Sequence, residues 1–343
     1  MKLSFIVLLV FSIDLVCPWP QELLHDFYQW ATEFEVNTTY ACDADRNRAI
    51  ANFKKNKENI ENFNKTLKDN STISFSMGLW EYSFLSKEEV SLSFNGLRLD
   101  TSELETKVES RAIFTAGYQI VSPALTDFDW TNEGAVIIPP RSQQGCACCY
   151  AFAATGALEG QIFRKQGVLQ RLSTQQLVDC SSDYGNAGCN WGNPVNVYKY
   201  IKDNGIAAGY SYMFQGQELG KCHYNETQKI YSVRDYRFIR INSNDFLRDL
   251  LYSVGPLVVG VNSRLFSFQN YQKGVYDDPE CTGGVDHAMV LTGFGTDEQY
   301  GDFWIVKNSY GRNWGEKGFI RMSRKVNNFC GLWEMVVFPV FVP

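Results

Sequence analysis

Gln143-Gln144-Gly145-Cys146-Ala147-Cys148-Cys149-Tyr150-Ala151-Phe152 is the stretch on which the reading of this chain turns. From Cys149 to Gly167 there is no proline, and Ala151, Phe152, Ala154, Leu158, Ile162 and Phe163 recur at helical spacing. The spacing predicts a helix that begins at Cys149. A thiol placed there faces the positive end of the helix dipole, which lowers its pKa and favours the thiolate. Gln143, six residues upstream, can donate its side-chain amide to an oxyanion, and the Cys149 backbone N–H offers a second donor. A nucleophile so equipped needs a base.

Histidine supply narrows the choice to His25, His223 and His287. His223 follows Cys222 beside a sequon and reads as structural. His287 stands in Val285-Asp286-His287-Ala288-Met289, at the mouth of an apolar strand, and Lys307-Asn308-Ser309 follows it by twenty-one residues. Asn308 can accept the ring's second N–H and hold its tautomer. A lone histidine beside a strand is ordinarily a packed residue, so the segment around Cys149 decides the matter.

Outward from these residues the chain divides near residue 125. Residues 18 to 110 are charged and helix-like, and Ala49 to Leu67 carries Ile50, Phe53, Ile60 and Leu67 on one helical face. Residues 126 to 343 are Gly-rich and aromatic and hold eight of the ten cysteines. Asn244 to Ser253 reads as a short helix. Strands are expected at Leu257-Val258-Val259, Ala288 to Leu291, Phe303 to Val306 and Gly318 to Arg321. A helical half followed by a strand half predicts an α+β fold with two lobes and a cleft between them. The 343 residues suit two packed units, and 45% hydrophobic composition allows a sizeable core. A net charge of −6 without a Lys/Arg block argues against a nucleic-acid partner.

The first residues read as an export signal. Lys2 precedes the apolar run Leu3 to Phe11, too short to span a bilayer, which predicts a signal peptide over residues 1–17. No other segment has the length of a membrane helix, so no membrane association is expected after its removal. Sequons at Asn37, Asn64, Asn70 and Asn225, together with the cysteines, predict an oxidising compartment and a secreted or lysosomal protein.

The Cys149 segment resembles the papain and cathepsin L family, whose pattern is Gln-x-x-Cys-x-x-Cys-aromatic-Ala-Phe. The likeness continues in order through Asp129-Trp130, Leu172 to Cys180, Gly188-Cys189-Asn190-Trp191-Gly192, Val285 to Ala288, Lys307 to Gly311, Trp314 to Gly318 and Cys330-Gly331-Leu332. It implies a two-lobed papain-like fold, a helical lobe plus a β-barrel-like lobe, preceded by a helical inhibitory propeptide. The implied division is 18–125 for the propeptide and 126–343 for the mature peptidase. It implies a cysteine endopeptidase with Cys149 as nucleophile, His287 as base and Asn308 as orienting residue. An ungapped alignment selects Gln143 as oxyanion donor and a one-residue gap selects Gln144. The former is preferred, because a shift of one residue in a tight loop would turn the amide away.

The resemblance also implies disulfides Cys146–Cys189, Cys180–Cys222 and Cys281–Cys330, leaving Cys148 without a role. It lines the substrate cleft with Gly192, Pro194, Gly260, Val285, Ala288 and Met335, apolar or small positions that favour an apolar side chain two residues before the cut. Neither metal nor organic cofactor is implied. The implied partners are protein or peptide substrates and the chain's own propeptide, acting on a monomer. Departures from the pattern are Tyr150 and Tyr310 for two tryptophans, Ala147-Cys148 for Gly-Ser, and Trp191 for a rim glycine, where it is expected to crowd the next subsite. In the propeptide, Phe53, Asn56, Ile60 and Asn64 keep the second half of a helical motif. Trp80 replaces an Asn and Phe84 an Asp associated with acid-triggered release. These changes motivate the rival reading, a silent papain-like binding or storage protein.

Overall fold

The structure, a computed structural model, describes residues 19–69, 73–99 and 118–341. The expected signal peptide and the Asn70 sequon lie outside the described residues. The helix expected at Cys149 runs from Cys149 to Gln166, and every residue from Cys149 to Ile162 is buried. A helix covered on all sides belongs in the middle of a fold. Its small residues let neighbours approach closely: a methyl group on Gly156 would lie 2.9 Å from Val290 Cγ2, and one on Gly160 would lie 2.7 Å from Pro256 Cγ. Gly167, left-handed at φ 71°, ends it.

The strands are β1 (Phe75–Met77), β2 (Phe128–Asp129), β3 (Ile206–Ala207), β4 (Lys229–Tyr231), β5 (Asp235–Phe238), β6 (Leu257–Val261), β7 (Tyr271–Tyr276), β8 (His287–Asp297), β9 (Gly301–Lys307), β10 (Phe319–Ser323) and β11 (Val336–Val340). They form one sheet in the order β1-β7-β10-β9-β8-β6-β11-β5, with β2 added on β8, and β3 pairs with β4 separately. Three of these, β6, β8 and β9, contain strands expected from sequence, and β10 begins at Phe319, one residue after the expected Gly318. β7 escaped that reading because Gln272 and Lys273 break its apolar run, and β11 because it carries Pro339, which argues against a central strand.

Two buried clusters flank the cleft. One gathers Leu250, Val259, Leu291, Trp304 and Trp314 in the strand lobe, and the other gathers Leu158, Leu177, Tyr198 and Ile201 in the helical lobe. Among the described residues, no helix is long and apolar enough to cross a membrane.

The leading segment has a small core of its own, where the helices Gln21–Glu33 and Asp43–Asp69 meet through Phe27, Trp30, Ile50 and Phe53. The second helix starts six residues before the expected Ala49. Asn56 Nδ2 donates to the carbonyls of Ser83 and Leu85, and Asn64 exchanges bonds of 2.7 and 3.0 Å with the backbone of Met77. These two asparagines tie the helix to the turn that follows. The side-chain amide of the Asn64 sequon thus takes part in this tie to Met77. Asn37 and Asn225 are exposed, and each accepts through its side-chain oxygen from its own sequon.

The segment then crosses to the domain. β1 pairs antiparallel with β7, with Phe75 opposite Gly274. A helix, Lys87–Phe94, is opened by a capping box of Ser86 and Glu89. From Asn95 the chain runs extended across the cleft.

Candidate active site

Three elements bring the reactive side chains together. Cys149 opens the central helix. His287 is the first residue of β8, and Asn308 directly follows the last residue of β9. β8 and β9 are antiparallel neighbours pairing Val290 with Lys307, so positions 287 and 308 fall at the same end of the sheet. The twenty-one-residue spacing is thus the length of a hairpin. His287 Nε2 lies 2.8 Å from Asn308 Oδ1, which also accepts from the Ser309 N–H at 2.8 Å. Asn308 Nδ2 is buried without a hydrogen-bond partner in the protein.

The ring's other nitrogen, Nδ1, faces the carbonyl of Phe94 in the leading segment at 3.2 Å. A neutral imidazole can donate to only one of these two oxygens. The shorter contact belongs to Asn308, which places the proton on Nε2 and leaves Nδ1 as the basic nitrogen toward the cleft. Burial lowers the His287 pKa, and the Asn308 bond opposes that shift.

Gln143 is fully buried and fixed from both ends. Its Nε2 donates to Phe94 O at 3.1 Å and to Cys146 O at 2.7 Å, and its Oε1 accepts from Ser309 Oγ at 2.6 Å. Gln144 is exposed with φ 54° and its backbone N–H on Ser142 Oγ. The structure therefore turns Gln143, not Gln144, into the cleft. A single carbonyl, that of Phe94, thus accepts from the amide of Gln143 and lies beside the Nδ1 of His287.

In this closed form burial works against the expected thiolate. Burial pushes the Cys149 thiol up to about 12, against backbone hydrogen bonds from Ala288, Gly96 and Tyr150 that hold it down. The dipole argument is sound for an open helix end, but here desolvation wins. Cys148 is also buried, and its pKa is raised well above the usual thiol value, again by burial first.

The leading segment lies in the cleft through its backbone. Gly192 N donates to Gly96 O at 2.7 Å, Leu97 N to Asp286 O at 3.0 Å and Arg98 N to Gly192 O at 3.0 Å. Asn95 Nδ2 bonds Asp286 Oδ2 at 2.7 Å. Gly96 is there of necessity, because a methyl group would sit 1.7 Å from Ala147 O. Leu97 is buried in the same cluster as Val285, Ala288 and Met335. Gly260 opens this pocket: a methyl group there would be 3.0 Å from Val285 and 3.2 Å from Met335. Pro194 starts the helix Pro194–Asn204, and Gly192 packs against the Tyr150 ring.

The aromatic departures meet one another. Trp80 stacks on Tyr310 at 5.3 Å and 16°, Phe94 meets Tyr310 edge-on at 4.7 Å, and Tyr310 covers the His287 ring at 4.8 Å. Phe84 packs 6.0 Å from Trp30 within the leading segment's core. Trp191 does not crowd its subsite; the Arg98 guanidinium lies over its ring, 4.3 Å from the centroid.

The cysteine pairs are Cys146–Cys189, Cys180–Cys222 and Cys281–Cys330, with Cα separations of 4.5, 4.8 and 4.7 Å. The first binds the nucleophile loop to the rim loop that carries Trp191 and Gly192. Cys42, Cys148 and Cys149 are free.

Sequence reasoning missed two groups. The cleft-crossing stretch Phe94–Arg98 carried one usable signal, the Asn95-Gly96 pair that marks a break after a helix. Beside Asn308, a small cavity is lined by Arg141, Glu159 and Lys307. Burial lowers the Lys307 pKa to about 8 and raises that of Glu159, whose Oε1 accepts from the Leu172 N–H at 2.9 Å.

Comparison with known proteins bears on this arrangement. A model of the papain family cysteine proteases matches residues 124–340. Cathepsin L1 of Drosophila melanogaster is 36% identical over 319 residues, 91% of this chain and 84% of its own. Cathepsin L of Sarcophaga peregrina is 36% identical over 93% of this chain and 94% of its own. Among solved structures, the digestive procathepsin L2 proteinase from Tenebrio molitor larval midgut superposes with a TM-score of 0.82 at 26% identity, covering 92% of this chain and 99% of its own.

Proposed function

The chain belongs to the papain family of cysteine proteases and is a cysteine endopeptidase made as a zymogen; from that premise we propose that Cys149, His287, Asn308 and Gln143 carry out its peptide hydrolysis. The observation that carries this reading is the Phe94 carbonyl, which accepts from Gln143 Nε2 and lies 3.2 Å from His287 Nδ1. It stands where a scissile carbonyl would need its polarising donor and its base.

Once the leading segment leaves, His287 Nδ1 takes the Cys149 proton and the thiolate attacks the carbonyl carbon. The carbonyl oxygen becomes an oxyanion, stabilised by Gln143 Nε2 and the Cys149 N–H. Collapse expels the amine, which takes the proton from the imidazolium and leaves an acyl thioester. Nδ1 then takes a proton from water, the hydroxide attacks the thioester, and the acid is released as the thiol re-forms. Asn308 keeps the ring in register throughout.

The pocket of Gly260, Val285, Ala288 and Met335 accepts an apolar side chain two residues before the cut, a reading supported by the burial of Leu97 in the same cluster. The mature enzyme begins near residue 126, and 18–125 is the inhibitory segment. It works as a monomer in an oxidising compartment, lysosomal or extracellular, in keeping with three disulfides.

The test is covalent labelling with a thiol-directed peptide epoxide carrying Leu at the second position. After release of the leading segment, the label is expected on Cys149, with loss of all cleavage. Cys149→Ser is expected to be unlabelled and inactive, and Cys148→Ser to keep much of its activity. Peptide cleavage by Cys149→Ser, or labelling confined to Cys148, would overturn the assignment.

A further inference from the structure

We propose that Trp191 forms a subsite that selects a cationic side chain, arginine above all, at the third position before the scissile bond. This rests on reading the cleft as a peptidase site. The leading segment supplies the register in reverse: it passes Gly192 in parallel, whereas a substrate would run the other way, so Gly96, Leu97 and Arg98 stand for the first, second and third positions before the scissile bond. Gly96 sits against the nucleophile, within reach of the Cys149 sulfur by its backbone and hard against Ala147 O. Leu97, the next residue, enters the apolar cluster of Val285, Ala288 and Met335. Arg98 is the third residue outward, and the element it meets is Trp191.

The seat is built rather than incidental. The Arg98 backbone is pinned on both sides, its N–H by Gly192 O at 3.0 Å and its carbonyl by Asn193 Nδ2 at 3.1 Å. With the backbone fixed, the guanidinium carbon lies 4.3 Å from the Trp191 ring centroid, the geometry in which a cation is drawn to the negative face of an indole. The platform is rigid. Ala187 and Trp191 pair through a 2.8 Å backbone bond, and the Cys146–Cys189 disulfide anchors the loop two residues away. Glu218 accepts from the Cys189 N–H at 2.6 Å and places a carboxylate on the same loop, a further reason for a cation and against an anion here. The other lining positions near this end, Gly192 and Pro194, offer no charge, so the discrimination falls to Trp191.

The experiment uses the released enzyme and a peptide series with Leu at the second position and Arg, Lys, citrulline, Ala or Glu at the third. Citrulline keeps the shape and hydrogen bonding of arginine without its charge. We expect kcat/KM for Arg to exceed that for citrulline and Ala by about three- to tenfold, with Lys between and Glu lowest. The readout is the ratio within each protein, so a variant of altered overall activity still reports. In Trp191→Gly the Arg-to-citrulline ratio should fall to near one, and Trp191→Phe should keep part of it. Cleavage of all five peptides with equal efficiency, or an Arg preference that survives in Trp191→Gly, would overturn the subsite alone. Cleavage of none would overturn the peptidase reading and the subsite with it.

Discussion

The leading segment closes the cleft in two places, and by different means. Along Gly96–Arg98 it is held backbone to backbone, by bonds to Gly192 and Asp286 that ask nothing of most side chains. Around Trp80 and Phe94 it is held by rings stacked on Tyr310, where side-chain shape is everything. The two latches leave different marks on a sequence. The first leaves only a glycine, because only position 96 must lack a side chain. The second is spelled out in paired changes: a tryptophan gained at 80 in the segment, and a tryptophan replaced by tyrosine at 310 in the domain. Tyr310 still shields the His287–Asn308 bond, and its hydroxyl gains a 3.3 Å contact with Asn95 Oδ1.

Breaking the backbone latch should have the largest effect. Gly96→Val places carbon where Ala147 O already lies, so the extended strand cannot seat. Proteolytic activity of the intact precursor should rise on the order of 100-fold, the consequence of a few kcal/mol of overpacking. The released enzyme, which lacks residue 96, should be unchanged. A fully latent Gly96→Val precursor would show that the stacked latch suffices alone.

The stacked latch should matter less. Trp80→Ala removes the one ring pair that crosses to Tyr310 from the turn, and such pairs contribute about 0.5–1.5 kcal/mol beyond their buried area. Release of the segment should quicken by about tenfold, followed as the disappearance of precursor on a gel. Trp80→Phe should recover much of the latency if stacking is the cause. Equal release by all three proteins would assign the closure to the backbone strand.

What could be read in advance follows the same division. Cys149, His287 and Asn308 were legible as candidates because their side chains suit the chemistry and because a hairpin brings the twenty-one-residue spacing of His287 and Asn308 together. The central helix and four strands were legible by periodicity. The different placement of Gln143 and Gln144 could not be read in advance, because it depends on the loop, where Gln144 has a positive φ and is exposed while Gln143 is buried. Arg141, Glu159 and Lys307 meet across the fold beside Asn308, and no local pattern marks charges so far apart in sequence. The state of the thiol reversed the expectation, because a helix dipole can be read from sequence and the cover over it cannot.

The smallest expected effect concerns the pH response of the Trp80 turn. The resemblance places an aspartate at 84, where this chain packs Phe84 against Trp30. The carboxylate that remains is Glu81, half-buried, hydrogen-bonded to Tyr82, with Oε2 facing Gly311 of the domain. Burial, the leading cause, raises its pKa, and the Tyr82 bond only partly opposes this. A carboxyl group whose pKa is raised in the closed form binds its proton more tightly there than in the open form. Its contribution therefore favours closure in acid and is lost as pH rises from the ordinary carboxyl range through the raised value. Glu81 thus acts against release at low pH, the opposite of a trigger. Glu81→Gln fixes the neutral state, so its precursor should release the segment about twofold more slowly than the parent at neutral pH, a small factor because the group is half in water. The two rates should converge as pH falls below the ordinary carboxyl range. Faster release by Glu81→Gln than by the parent at neutral pH would instead mean that Glu81 is ionised in the closed form and holds the turn down by its charge.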